Sequence, residues 1–201
     1  WRGDQNMVGV CDMMTREDPV AKALVMSWVL PILRSNWKIE AASDDPKDLE
    51  VADFIRANLF EYQAGGWMPW LEQAAAFVWR GFSLFEIVAR FDPSLGRTCL
   101  KKLAVILPRS VYAWQLYEGD EWGVEQSSSH SDPLVGQVGR YAPSTVTIPP
   151  DKLLRFTWDG DGNSPEGTGI LRPCYGAWRQ RRLYLKLEAA GYERGAFGIP
   201  F

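Results

Sequence analysis

Few residues in this 201-residue chain are equipped for catalysis. The one histidine, His130, lies in the polar stretch Ser127–Asp132 with no nucleophile elbow beside it. A Ser/His/Asp triad would have to use it, and a solvated loop histidine is the plainer reading. Asp159-Gly-Asp161-Gly-Asn163 begins like a calcium loop. The pattern fails at position six, which is Ser164 rather than Gly, and at position twelve, which is Ile170 rather than Glu. Gly167-Thr168-Gly169 lacks the Lys-Ser/Thr of a phosphate-binding loop, so a tight turn before the last helix is expected there. Glu118, Asp120 and Glu121 could supply paired carboxylates for glycoside hydrolysis, but they gather at a turn signal, where solvated acids are the commoner case. Cys11, Cys99 and Cys174 are odd in number and far apart, which signals neither a disulfide framework nor a zinc ribbon and suits a reducing compartment. No catalytic residue, metal ligand or cofactor is assigned.

The last helical segment carries more information. Leu171, Tyr175, Trp178, Arg182, Leu185, Ala189 and Tyr192 follow one another at spacings of four and three, a heptad seam interrupted by Arg182. Arg172, Arg179, Arg182 and Lys186 fall within about 80° of one another at 100° per residue. From Arg172 to Arg194 six cations face two anions, which leaves this segment at +4 and the rest of the chain at −7. Two readings follow: a solvated basic face, or a helix that packs on a neighbour along its seam and meets phosphates or acidic groups with its cations. A net charge of −3 excludes a globally basic nucleic-acid binder.

These residues need a scaffold, and composition allows one. Hydrophobic residues make up 46% and charged residues 23%, globular values that exclude disorder. Ten tryptophans are the oddity, and their large contact area points to scaffold packing and contact between subunits. The longest apolar run, Ala23 to Leu33, holds Ser27 and Pro31 and is short of the roughly 20 residues a membrane span needs. Residues 1–17 show no clear period. Asp18-Pro19 and Asp45-Pro46 are capped helix starts. They open helices expected over Val20–Leu30, ended or kinked by Pro31, and over Lys47–Phe60. A third helix is expected over Met68–Trp79, capped by Gly81. Strands are expected at Trp37–Glu40, Phe82–Phe91, Leu103–Leu107, Val111–Tyr117, Trp122–Glu125, Val146–Ile148 and Leu153–Trp158. A long helix from about Ile170 to Arg194 closes the pattern. The layout is α+β: N-terminal helices, a mixed or antiparallel β region, then one long helix.

The order of these motifs resembles the portal proteins of tailed bacteriophages, and within them the Mu-like subgroup. Asp18-Pro19-Val20 through Leu33, Asn36-Trp37-Lys38-Ile39-Glu40, and an acidic spacer Ala41 to Asp48 before the Leu49–Leu59 helix resemble that family's opening. Arg80-Gly-Phe-Ser-Leu-Phe-Glu-Ile-Val88 is similar to its G-[FY]-S-x-x-E-I segment, and Ile148-Pro-Pro-Asp-Lys-Leu-Leu154 to its I-P-x-x-K-L-L lead-in. Pro165-Glu-Gly-Thr-Gly-Ile-Leu-Arg-Pro-Cys-Tyr175 and Glu193-Arg-Gly-Ala-Phe-Gly-Ile-Pro200 are similar to the motifs around its long helix. One departure is Thr168-Gly169, where a small residue followed by Ser is more usual.

The resemblance implies a structural subunit rather than an enzyme. It implies a homo-oligomeric ring, usually a dodecamer, at one capsid vertex of the virion, assembled in the host cytoplasm. It also implies a channel for genome packaging and ejection. The implied partners are the terminase large subunit, capsid and head–tail adaptor proteins, and double-stranded DNA passing non-specifically; no membrane is implied. In that frame residues 1–17 form an irregular arm, 18–169 a wing-like α+β domain, and 170–201 a stem helix and the start of a clip region. The chain then reads as roughly the first half of a longer subunit. Leu171, Tyr175, Trp178, Leu185, Ala189 and Tyr192 would pack on neighbouring stem helices. Arg172, Arg179, Arg182 and Lys186 would contact nucleic acid or a neighbour. A carbohydrate-binding or carbohydrate-active domain with a Trp-rich surface is the alternative.

Overall fold

A computed structural model describes residues 3–127, 145–160 and 164–196. His130 and Asp161 through Asn163 lie outside them. The described residues form six α-helices and six strands, an α+β arrangement. The helices are α1 (Gly3–Glu17), α2 (Pro19–Arg34), α3 (Pro46–Ala57), α4 (Trp67–Ala74), α5 (Phe77–Arg80) and α6 (Tyr175–Ala196). The strands are β1 (Phe82–Asp92), β2 (Arg97–Ile106), β3 (Val111–Leu116), β4 (Trp122–Ser127), β5 (Thr145–Ile148) and β6 (Leu153–Thr157). They make two three-stranded antiparallel sheets, ordered β2-β1-β6 and β3-β4-β5.

The expected caps form. Asp18 accepts from the N–H groups of Val20 and Ala21, and Asp45 from that of Lys47, each just ahead of a proline whose missing N–H costs the helix nothing. Gly81 ends α5 at φ +98°, a left-handed conformation that glycine adopts without strain.

Five expectations need correction. Residues 3–17 are helical rather than irregular: Val8, Cys11, Met14 and Thr15 recur at helical spacing on a buried face. Helix α2 continues through Pro31 to Arg34. Pro31 and Ser27 are both exposed, so the missing Pro31 N–H falls on the open side of the helix. Trp37–Glu40 pairs with no strand among the described residues. The Ile39 carbonyl instead accepts from Arg56 Nη2 at 3.0 Å, and Trp37 Nε1 donates to the Ile32 carbonyl at the end of α2. The third helix breaks after Ala74, because the Ser83 hydroxyl takes the Ala74 carbonyl (2.8 Å) and the Val78 N–H turns to Ala75. The long helix starts at Tyr175, after turns at residues 170–174 in which the N–H groups of Arg172, Cys174 and Tyr175 each bond three residues back.

Two buried clusters organise the body. The first joins the helices: Cys11 and Met14 of α1, Ala21, Val25 and Val29 of α2, Ala75 and Val78 around α5, then Leu171 and Trp178. The second lies between the sheets: Phe82, Leu84, Ile106, Val111, Val124 and Ile148, with Val8 of α1. Burying each large apolar side chain contributes about 1.5–3 kcal/mol. Tryptophans join the clusters through edge contacts such as Trp28–Trp158 (5.5 Å between ring centroids) and Phe82–Trp114 (5.6 Å).

Gly167-Thr168-Gly169 is a backbone lock. The Trp158 N–H donates to the Gly81 carbonyl (2.8 Å), the Thr168 N–H to that of Trp158 (2.7 Å), and the Ile170 N–H to that of Val78 (2.9 Å). A Cβ at Gly167 would stand 2.0 Å from the Trp158 carbonyl oxygen, and one at Gly169 2.2 Å from that of Trp79. Three chain segments therefore meet with no room for side chains, and this contact sets where α6 leaves the body.

Candidate functional site

Helix α6 divides into a root held by the body and a far half that is not. At the root, Leu171 is fully buried and Trp178 is 9% exposed, both in the helical core, with Tyr175 packed against them. Leu171 and Trp178 of the expected seam are thus packed largely within their own chain, although the Trp178 ring still lines an open groove. Farther along, Leu185 is 52% and Tyr192 71% exposed, and Ala189 is exposed between them. Leu183, Tyr184 and Leu187 are also exposed. The helix thus carries apolar side chains on several faces that none of the described residues covers, a pattern expected of a buried helix.

Two ion pairs tie the root to the corner between α1 and α2. Arg181 Nη1 reaches Asp18 Oδ2 at 2.8 Å and Arg182 Nη1 reaches Glu17 Oε2 at 3.0 Å. The Arg182 guanidinium also sits 4.8 Å from the centre of the Trp178 ring, a cation–π arrangement. Asp18 is buried, which opposes its charge. The N–H groups of Ala21 and Val20 and then the Arg181 guanidinium outweigh that and hold its carboxyl below the usual range. Next to this corner Asp12 Oδ1 accepts from Arg80 Nε (2.7 Å) and Trp79 Nε1 (3.0 Å), clamping α1 to α5.

The four expected cations separate by role. Arg172 lies in the turn before α6, half-buried, and is not on the helical stripe. Arg182 is committed to Glu17 and Trp178. Arg179 and Lys186 are exposed, in no ion pair among the described residues, and line one side of a shallow groove of about 630 Å³ with Met13, Tyr175 and Trp178. Sequence spacing found the stripe. It missed the two pairs to Glu17 and Asp18, because residues 160 and more apart in sequence leave no local signal.

An apolar cleft of about 560 Å³ lies between the end of α2, Trp37, α4 and Phe156, with Trp67 and Trp70 in its wall. Ser35 is the one hydroxyl lining it, and no carboxylate or amide does. A sugar needs several hydrogen-bonding groups beside a stacking ring, so this cleft gives the carbohydrate alternative little support. Glu118, Asp120 and Glu121 are exposed acids at the β3–β4 turn, where Asp120 adopts φ +59°. Among the described residues no three His, Cys, Asp or Glu side chains converge on a metal position, and no helix is long and apolar enough to cross a membrane.

A family model described as the portal protein of Mu bacteriophage matches residues 8–201. The match takes in α1 from Val8 onward, which the motif order alone did not reach, and runs through both sheets to the far end of α6.

Proposed function

The chain belongs to the portal protein family of Mu bacteriophage, and from that membership we propose that it is the ring-building part of a head–tail connector, with α6 as its stem. Membership implies a structural component of the virion, an oligomeric ring associated with the capsid. Beyond this, we assign residues 18–169, with α1 packed against them, to the wing, and α6 to a stem that leads toward a clip. Twelve copies around the axis would form a channel through which double-stranded DNA is packaged and ejected. The terminase large subunit would dock on it during packaging, and adaptor proteins afterwards. Assembly would take place in the host cytoplasm.

One observation carries the reading: the uncovered apolar far half of α6. Among the described residues none covers Leu185, Ala189 and Tyr192, and in a ring each stem helix has a neighbour that can cover them. The strongly negative remainder of the chain suits a conduit, since like charge discourages DNA from adhering. Native mass spectrometry of the intact protein tests this directly. A closed ring near a dozen subunits is the expected result, and a chain that stays monomeric at assembly concentrations overturns it.

A further inference from the structure

We propose that the outward face of α6 docks on the acidic, partly apolar surface made by residues 40–55 of a second copy of the same chain; the inference rests on the ring reading above. Arg179, Leu183, Lys186, Ala190 and Arg194 stand at i, i+4, i+7, i+11 and i+15, one face of the helix. All five are exposed. Arg179, Lys186 and Arg194 enter no ion pair among the described residues, unlike Arg181 and Arg182 beside them. Leucine among cations argues for a protein partner. Phosphates would use the charges and leave Leu183 and Leu187 in water, whereas a surface both acidic and apolar uses all of them.

The same chain supplies such a surface. Between Glu40 and Asp53 stand six acids and one cation, Lys47; Arg56 pairs with Asp53 and Arg97 with Glu50, which leaves Glu40, Asp44, Asp45 and Asp48 as the acids this surface offers. Ser43 Oγ bonds Asp48 Oδ2 (2.6 Å) and Arg56 bonds the Ile39 carbonyl, so the 39–48 segment is held along α3 and its acids join that helix in one surface. On α3, Asp48, Val51 and Ile55 share a face at i, i+3 and i+7, and both aliphatics are exposed. Glu40 and Asp44 are exposed and enter no ion pair among the described residues. The two surfaces differ and are complementary in charge, so the contact is head-to-tail. Each copy offers the basic face to one neighbour and the acidic face to the other, and repetition of such a contact closes a ring when its rotation allows. Charge of this kind sets register and association rate more than raw affinity, and salt screens it.

Charge reversal in the intact protein tests the contact. Arg179→Glu with Lys186→Glu, and separately Glu40→Lys with Asp44→Lys, should each reduce the ring to smaller species in native mass spectrometry while leaving circular dichroism unchanged. One chain carrying all four substitutions should recover the ring, because both sides of every contact are then reversed. Rings unmoved by either reversal overturn the proposal, as does a folded four-fold variant that stays dissociated. So does an intact Arg179→Glu/Lys186→Glu ring whose binding of duplex DNA has lost about two units of salt slope, which assigns these cations to phosphates. A wild-type chain that never forms a ring overturns the ring reading too; the other outcomes remove this contact alone.

Discussion

Arg181 reaches across 163 residues of sequence to place its Nη1 2.8 Å from Oδ2 of Asp18. The other oxygen of that carboxylate caps α2 through the N–H groups of Val20 and Ala21. One side chain therefore fixes both the start of α2 and the root of the projecting helix.

Replacing Asp18 should separate these two tasks. Asp18→Asn keeps a capping oxygen and loses the ion pair, a loss of about 0.2–1 kcal/mol for a partner as exposed as Arg181. Asp18→Ala also loses the cap, for about 0.5–2 kcal/mol more. The folded carboxyl titrates below its unfolded value. Its contribution is complete above the ordinary carboxylate range and is lost as pH falls through the lowered folded value. Urea unfolding at neutral and acid pH should show Asp18→Asn with a shallower acid loss than wild type. An unchanged slope would mean that the Asp18 charge does not matter.

The glycines around α6 should respond in opposite senses. Gly167→Ala drives a methyl to 2.0 Å from the Trp158 carbonyl oxygen, backbone that cannot yield without moving β6. It should destabilise by at least the 1–3 kcal/mol typical of overpacking. Gly191 lies inside α6 with nothing near its missing Cβ. Gly191→Ala should stabilise by up to about 1 kcal/mol through helix propensity alone. Thermal unfolding of the two variants checks the sign of each, and equal effects would contradict the lock.

Local signals made much of this fold legible. Asp18-Pro19, Asp45-Pro46 and Gly81 mark chain conformations within a few residues, and the structure places caps at all three. β1 was readable from its run of strand formers. What stayed hidden depends on partners distant in sequence. The Ser83 hydroxyl breaks the third helix by capturing the Ala74 carbonyl, and Arg56 occupies the Ile39 carbonyl that a strand partner would have used. The α1 period was present in Val8, Cys11, Met14 and Thr15, but it is written in residues less plainly apolar than Leu or Ile. From Tyr175 to Tyr192 the seam residues share one continuous helix, yet periodicity gives no sign of whether Trp178 meets its own chain or another.

Cys11 should be nearly inert in the folded protein. Burial pushes its thiol up, Asp12 adds to this and Arg172 opposes it, for a pKa of about 11. At pH 8 roughly one molecule in a thousand is then thiolate, the reactive form. Iodoacetamide labelling followed by peptide mass analysis should leave Cys11 unmodified in native protein and modify it in urea. Native labelling at the rate of a free thiol would show that α1 does not pack as described.

Substitutions along one α6 seam should divide by distance from the root. Trp178→Ala removes a buried ring and the surface on which the Arg182 guanidinium lies, so it should cost about 3–5 kcal/mol of subunit stability. Leu185→Ser and Tyr192→Ser fall on exposed positions and should change unfolding of the dissociated subunit by no more than about 0.5 kcal/mol. Their effect should appear in assembly, as smaller species in sedimentation velocity under conditions where wild type forms rings. The contrast is the informative result. If Leu185→Ser and Tyr192→Ser assemble like wild type, the far half of α6 is covered by something other than a neighbouring stem. If Trp178→Ala leaves the subunit as stable as before, the root is not packed into the helical core.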